Sequence, residues 1–522
     1  MATVVLGLIN HTSISTAEST TGWTVFDVLD TDIKKEGSNG IAGTFRADAT
    51  HGFYNAGSAP VTAVDKHFRI WVNTISLPYL ETEAGGGVEI SFNDGSVTEY
   101  VTAFGSDTYD GGWVNFVIDM NLLTTLTLAN VEQWGVRPQY TTNAKNVDNF
   151  WVDYLRYLDG YYATGGTSGD EIGLALIAAR DKDDGAGTLR GYGVLIAIEG
   201  VFFSYGELQI GNGSTTTWFK MDGDVIIFTD QPVAAGLYQI RAQGTGCRVD
   251  IKGSVIKSGG TTNNTRFILD FDDADLLSCS FTNNLISRAG ICNFKSGQTV
   301  TGNTFENCGQ ITPAGADMTG CIVKLYEGTA DTSALIYDVN ADPDGELDNM
   351  SFEKGTAATH AIEFGTNSPL TMTLTGISFS GYNASNGQTD STLHIKRTSG
   401  TVTINLTGCT GDISYKSDGA TVSLVRDPRQ FKFTLSPSIT GYEWRIYSVT
   451  TLGSLDGATE LDGQETATQD NQSYSYTYSS DVYIAVQIIA QPDEDYEESI
   501  TYYTLKDSNQ DLTITLKKDN NN

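Results

Sequence analysis

The stretch Asn340-Ala-Asp-Pro-Asp-Gly-Glu-Leu-Asp348 carries oxygen donors at alternate positions followed by a glycine, the spacing a calcium loop requires. Asn340, Asp342, Asp344 and Asp348 are its expected ligands. The match has gaps. Asn stands where a first Asp is usual, a proline intrudes, and no bidentate Glu follows at the twelfth position. A Pro-Asp-Gly turn explains the same residues without metal, so calcium is allowed but no cofactor is required. A second acidic group, Asp270, Asp272, Asp273 and Asp275, falls in one turn. Paired acids roughly 5 to 10 Å apart are what glycoside hydrolysis needs, and Arg266, Arg288 and Lys295 lie in neighbouring segments. Yet 64 acidic against 31 basic side chains produce such clusters by composition alone. No residue is assigned a catalytic role.

Other chemistry is sparse. The five histidines show no spacing that suggests a nucleophilic triad, and no glycine-rich phosphate loop follows a strand. Cys247, Cys279, Cys292, Cys308, Cys321 and Cys409 form no CxxC pair and no metal-ligand spacing with histidine. They read as free, buried thiols. Trp113 and Trp151 open apolar strands and read as core, whereas Trp134 is the candidate platform for stacking a sugar.

The formal charge of −33 opposes phosphate backbones and anionic membranes, so neither nucleic-acid binding nor membrane insertion is expected. No stretch approaches the ~18 apolar residues of a membrane span. The first ten residues lack a basic region, which predicts synthesis in the cytoplasm without export.

The elements that must position these residues are strands. Abundant Gly, Thr, Asn and Ser with little Pro suits short strands and tight turns. A hexapeptide recurs as Ile251-Lys-Gly-Ser-Val-Ile256, Leu276-Leu-Ser-Cys-Ser-Phe281, Val300-Thr-Gly-Asn-Thr-Phe305, Leu347-Asp-Asn-Met-Ser-Phe352 and Leu374-Thr-Gly-Ile-Ser-Phe379, with a degraded copy at Leu406. A second strand precedes each copy, at residues 238–241, 267–271, 290–294, 321–325, 361–364 and 393–396. A strand this short cannot bury an apolar face alone; stacked on its counterpart in the next coil it completes a ladder and a continuous core. This predicts a right-handed parallel β-helix over residues 201–428, with Gly302, Gly376 and Gly408 at a recurring corner. The 47-residue interval from Val300 to Leu347 is expected to hold one long coil with an insertion at 326–346.

Before it, residues 1–160 alternate apolar and polar at 67–72, 87–92, 113–118 and 150–155. With Asp110-Gly-Gly-Trp113 and the closing Trp151-Val-Asp153 strand, this region resembles jelly-roll modules of lectin-like and carbohydrate-binding proteins. Residues 161–200 read as a connector and cap, with a short helix at 170–180 and a strand at 194–198. Residues 429–522 alternate cleanly in seven or so strands and predict a small β-sandwich ending in a frayed tail at 519–522. The fold class is therefore all-β.

An acidic, unsignalled chain of this order resembles the virion fibre and tailspike proteins of tailed bacteriophages, on the repeats from Ile251 to Gly408 and the strand-rich module after Phe431. The resemblance implies a homotrimer assembled on the particle with other virion proteins and contacting host surface polysaccharide. A non-enzymatic adhesin or decoration is the favoured class. A tailspike that cleaves polysaccharide and a secreted cellular β-helix adhesin are the alternatives.

Overall fold

The computed structural model describes residues 2–45, 52–59, 63, 67–74, 87–103, 109–110, 113–139, 148–182, 191–229, 238–259, 266–427, 429–476, 481–489, 496–506 and 509–518. Parts of the features named above lie outside the described residues: Gly111 and Gly112, residues 183–187, Pro428, residues 477–478 and the tail 519–522. The chain is all-β, with the α-helix Leu174–Lys182 in the segment where a short helix was expected. No helix among the described residues is long and apolar enough to cross a membrane. Two compact units are formed, Met1–Gly328 with Ala334–Ile336 and Gly355–Ala357, and Thr329–Ser333 with Tyr337–Lys354 and Ala358–Asn522.

The first unit opens with two antiparallel sheets that share one core. One sheet runs in the order Tyr109–Asp110, Trp113–Asp119, His67–Asn73, Asp148–Tyr157, Gly40–Phe45, Phe26–Asp30, and Thr12–Ser15 joins it on Asp148–Tyr157. The other runs Trp23–Thr24, Gly52–Asn55, Gln133–Gln139, Gly87–Asn93, Thr98–Ala103. Period-two alternation sends Val88, Ile90 and Phe92 inward from one strand and Trp134 and Val136 from its neighbour, against Phe26, Phe45, Phe68 and Phe150. Each such side chain contributes about 2 kcal/mol of burial. The expected strands at 67–72, 87–92, 113–118 and 150–155 are all present.

The same unit continues as strands paired in parallel with the next copy along the chain. This stacking begins at Gly160–Gly165, which pairs with Glu207–Gly213, and so starts earlier than residue 201. Val4–Ile9 pairs antiparallel with Gly160–Gly165 and shares its sheet. Leu195–Ile198 pairs antiparallel with Val201–Ser204, while the Asp181 carboxylate at the helix end accepts the amides of Gly193, Val194 and Leu195. Arg69, fully buried, donates to the carbonyls of Leu158, Gly193 and Tyr205.

Three columns of buried side chains run along the parallel strands, the first two in one sheet and the third in another. The first is Tyr161, Leu208, Ile240, Leu269, Cys292 and Ile311. The second is Met221, Ile251 and Phe281. The third is Phe202, Ile226, Ile256, Ile286, Phe305 and Val323. The hexapeptide bridges the second column to the third across a corner. Its third residue there holds a left-handed φ: +60° at Gly253, +56° at Asn283 and +67° at Gly302, and again +57° at Asn349, +68° at Gly376 and +64° at Gly408 in the second unit. Glycine and asparagine bear that conformation most cheaply. Inside the corner Asn284 donates to the Ile251 carbonyl and Asn303 to that of Phe281.

Two expectations are corrected by this register. Phe281 lies level with Ile251, so the true copy is Phe281-Thr-Asn-Asn-Leu-Ile286. Residues 321–325 do not take the second-strand position: Ile322–Lys324 lies level with Thr304–Glu306, so the long interval contains a further strand of the third column where an insertion was expected.

In the second unit, His360–Phe364, Leu393–Ile395 and Tyr415–Ser417 stack in parallel, as do Thr371–Thr375, Thr401–Thr407 and Thr421–Arg426. Phe352 and Phe379 stack with ring centroids 5.6 Å apart. Sheets of three strands (Asn471–Tyr476, Arg429–Ser436, Gln510–Thr515) and four strands (Thr459–Gln464, Glu443–Ser448, Val482–Ile489, Ser499–Leu505) follow, sharing a core of Phe431, Phe433, Trp444, Ile446 and Ile484. All six cysteines are buried and free.

Candidate functional sites

Parallel register places equivalent outward residues in rows, each about 4.8 Å from the next. Gln209, Arg241, Asp270, Asn293 and Thr312 form one such row. Arg241 pairs with Glu207 at 2.6 Å and donates to Gln209. Burial, and then the neighbouring Asp272, push the Asp270 carboxyl up to about 6. The rest of the acidic turn is structural. Asp273 accepts the Asp275 amide, and Lys295 donates to the carbonyls of Ala274 and Leu276. Lys295 thus reaches this turn, whereas Arg266 is buried and spent on the Asn307 carbonyl and Glu327.

The 340–348 segment uses its carboxylates as latches. Asp342 accepts the Thr373 amide at 2.7 Å, Asp344 accepts the Thr375 hydroxyl at 2.7 Å, and Asp348 accepts the Gly345 amide at 2.9 Å. Asn340 is exposed. These bonds fasten the segment to the strand Thr371–Thr375.

Trp134 does not serve as a sugar platform. It is 0 % exposed, its Nε1 donates to the Tyr157 hydroxyl, and strand alternation puts it level with Phe92 and Tyr54 on the core face. Trp113 is buried as expected, and Trp151 donates to Asp30. On the opposite face of that five-stranded sheet Tyr100 is exposed and Phe53 and Arg137 are half-buried, while Gly135, Ser91 and Glu89 are buried. A row of Phe53, Gly135, Ser91 and Tyr100 crosses four strands, flanked by Arg137 and Glu89 on one side and Gln133 and Asn93 on the other. Arg137 pairs with Glu89 and lies 4.0 Å over the Tyr100 ring. Gly135 is packed closely, since a Cβ there would stand 2.3 Å from the Ser91 hydroxyl and 2.9 Å from the Gly52 carbonyl.

Sequence reasoning missed a third group in the second unit. Asp331, His360 and His394 each bring one potential ligand atom within 4.8 Å of the others. The two rings lie 4.7 Å apart and both are buried. His394 is level with Glu363 and Lys416 on adjacent strands. Lys416 contacts both Asp331 oxygens at 2.5 Å. Burial pushes the His394 ring below its ordinary value, against an upward pull from Asp418. The available signal was positional: the histidines sit at the start of one second strand and within the next.

No protein-family model matches the sequence, and no curated protein matches it. Among solved structures the chain is similar to a xylan-binding module CBM15, with a TM-score of 0.20 and 15% identity over 29% of this chain and 97% of that one. It is also similar to the catalytic domain of a GH87 alpha-1,3-glucanase variant in complex with nigerose, with a TM-score of 0.18 and 11% identity over 80% of this chain and 98% of that one. Likeness at these scores fixes neither fold nor role.

Proposed function

We propose that this chain is a glycan-binding, non-enzymatic appendage protein of a virion. In this reading the parallel columns are coils of a right-handed parallel β-helix, and the N-terminal sheets are a jelly-roll module that contacts host surface polysaccharide. The observation that carries the binding role is the outer row Phe53, Gly135, Ser91 and Tyr100 with Arg137, Glu89, Gln133 and Asn93 beside it. Two aromatic side chains, Tyr100 exposed and Phe53 half-buried, stand three strand spacings apart, about 14 Å, with planar polar groups alongside. Aromatic faces take the C–H face of a sugar ring, and amide, guanidinium and carboxylate groups bond its hydroxyls. The sheet beneath holds them in fixed positions.

The resemblance to phage fibres supplies the homotrimer and the virion location, and the acidic surface supports an exposed, soluble appendage. Calcium at Asn340, Asp342, Asp344 and Asp348 would have to compete with the bonds from Thr373 and Thr375, so the proposal omits it. The test is a glycan array probed with the purified full chain and a Phe53→Ala/Tyr100→Ala double variant. Saturable binding that falls at least tenfold in the variant is expected; binding the variant leaves unchanged would overturn the site. Mass spectrometry of intact particles tests the location.

One observation favours a second reading, polysaccharide cleavage on the stack. A carboxyl titrating at about 6 beside a second carboxylate suits a general acid. Release of reducing ends or unsaturated products that is lost in Asp270→Asn or Asp272→Asn would replace the non-enzymatic reading.

A further inference from the structure

We propose that Asp331, His360 and His394 bind a divalent transition-metal ion of the zinc class. The site lies in the second unit and is independent of the glycan reading. The argument starts from which ring nitrogens hold hydrogen. His360 Nδ1 lies 2.5 Å from the Ser391 carbonyl, which can only accept, so Nδ1 donates. His360 Nε2 then faces the Asp331 carboxylate at 3.1 Å. The carboxylate at that distance shares a cation with Nε2, either a proton on an imidazolium or a metal ion, and the second histidine decides for the metal. In a tetrahedral zinc site with bonds of about 2.0 to 2.1 Å, ligand atoms stand roughly 3.3 Å apart, which this pair already matches.

His394 supplies the second, independent observation. Its Nε2 lies 3.0 Å from the Asp418 carboxylate, so Nε2 donates there. That leaves the lone pair on Nδ1. This atom is buried and has no hydrogen-bond partner; the nearest carboxylate oxygen, on Glu363, stands 3.8 Å away. A ring whose remote nitrogen is held by a carboxylate or carbonyl is the arrangement that orients histidine ligands, and both rings have it. Two imidazoles and a carboxylate favour zinc, cobalt, nickel or copper over magnesium and calcium, which prefer all-oxygen shells. Glu363 is near enough to become a fourth ligand.

Lys416 is the competitor. Its ammonium occupies both Asp331 oxygens, and its side chain is 24% exposed, so it can swing to solvent when a metal enters. Removing it should tighten binding.

The test titrates the full chain with Zn²⁺ by calorimetry and with Co²⁺ by visible absorption. One equivalent per chain is expected, with Co²⁺ bands of nitrogen–oxygen coordination. Asp331→Asn, at the partly exposed mouth, should weaken binding at least tenfold with an unchanged circular dichroism spectrum, and Lys416→Met should strengthen it. His394→Gln should abolish the Co²⁺ bands, with circular dichroism confirming the fold. Three results would overturn the site: no saturable Zn²⁺ binding, affinity indifferent to both Asp331→Asn and Lys416→Met, or displacement of Zn²⁺ by equimolar Ca²⁺.

Discussion

The row Gln209–Arg241–Asp270–Asn293–Thr312 and the row Glu363–His394–Lys416 rest on the same backbone device, yet they solve their electrostatics differently. In the first, Arg241 bonds Glu207 and Gln209, and the strain left over is a carboxyl, Asp270, held partly protonated. In the second, acid and base also alternate, but a ring nitrogen is left without a partner. Parallel stacking makes every side chain the neighbour of its counterpart one coil away. Whether a row ends satisfied or with an unused donor or acceptor therefore depends on the chemistry of one position per coil, while the inner columns stay alike.

That contrast can be broken from the inside first. Leu269→Ala and Ile362→Ala remove fully buried side chains beneath the two rows, and each should cost about 2 to 5 kcal/mol. Denaturant unfolding checks this; a loss in one variant alone would mean that the inner columns are not equivalent. The corner is the next test. Gly302→Ala puts a Cβ at φ +67° and within 2.5 Å of the Asn283 side chain, for a cost of about 1 to 2 kcal/mol, while Asn349→Gly at the matching position should be near neutral.

A smaller effect distinguishes the rows by pH. Asp270 titrates at about 6 in the folded chain, against about 4 unfolded. The native state thus keeps a proton that the unfolded chain has released, and this residue subtracts stability as pH rises from about 4 to about 6. Asp270→Asn should match the parent at pH 4 and exceed it at pH 7 by on the order of 1 kcal/mol, allowing for solvent screening. Equal stability at both pH values would show that the carboxyl is not destabilised. Smallest of all, a calcium-selective chelator should leave the melting temperature unchanged, because Asp342 and Asp344 are already bonded to Thr373 and Thr375. A drop reversed by calcium would restore the metal loop.

The sequence made the stacking legible because its cause is local: an apolar residue, a residue tolerant of positive φ two places on, and another apolar residue three beyond. Phase was harder. Phe281 was placed at the end of its copy because apolar residues occupy both ends of the hexapeptide, and only the corner, Asn283 at φ +56°, tells them apart. The same rule exposes a copy that went unread, Met221-Asp-Gly-Asp-Val-Ile226, with Gly223 at φ +78°. Trp134 was misassigned because one residue of strand phase decides between core and solvent. His360 and His394 were invisible as a pair, since only coil length brings residues so distant in the chain to 4.7 Å.

The left-handed corner also makes this chain extensible. Everything that must match between coils is confined to three short columns and that one turn, so the connections between them are free to differ in length. Residues 285–303 span one whole period, Leu285 being level with Thr304. Excising that segment would remove the corner at Gly302, rejoin Asn284 to Thr304 behind the corner at Asn283, and shorten the ladder by one rung, about 4.8 Å. Duplicating it would lengthen the ladder by the same step. Such a chain can be resized in whole rungs, by recombination or by design, without renegotiating its interior.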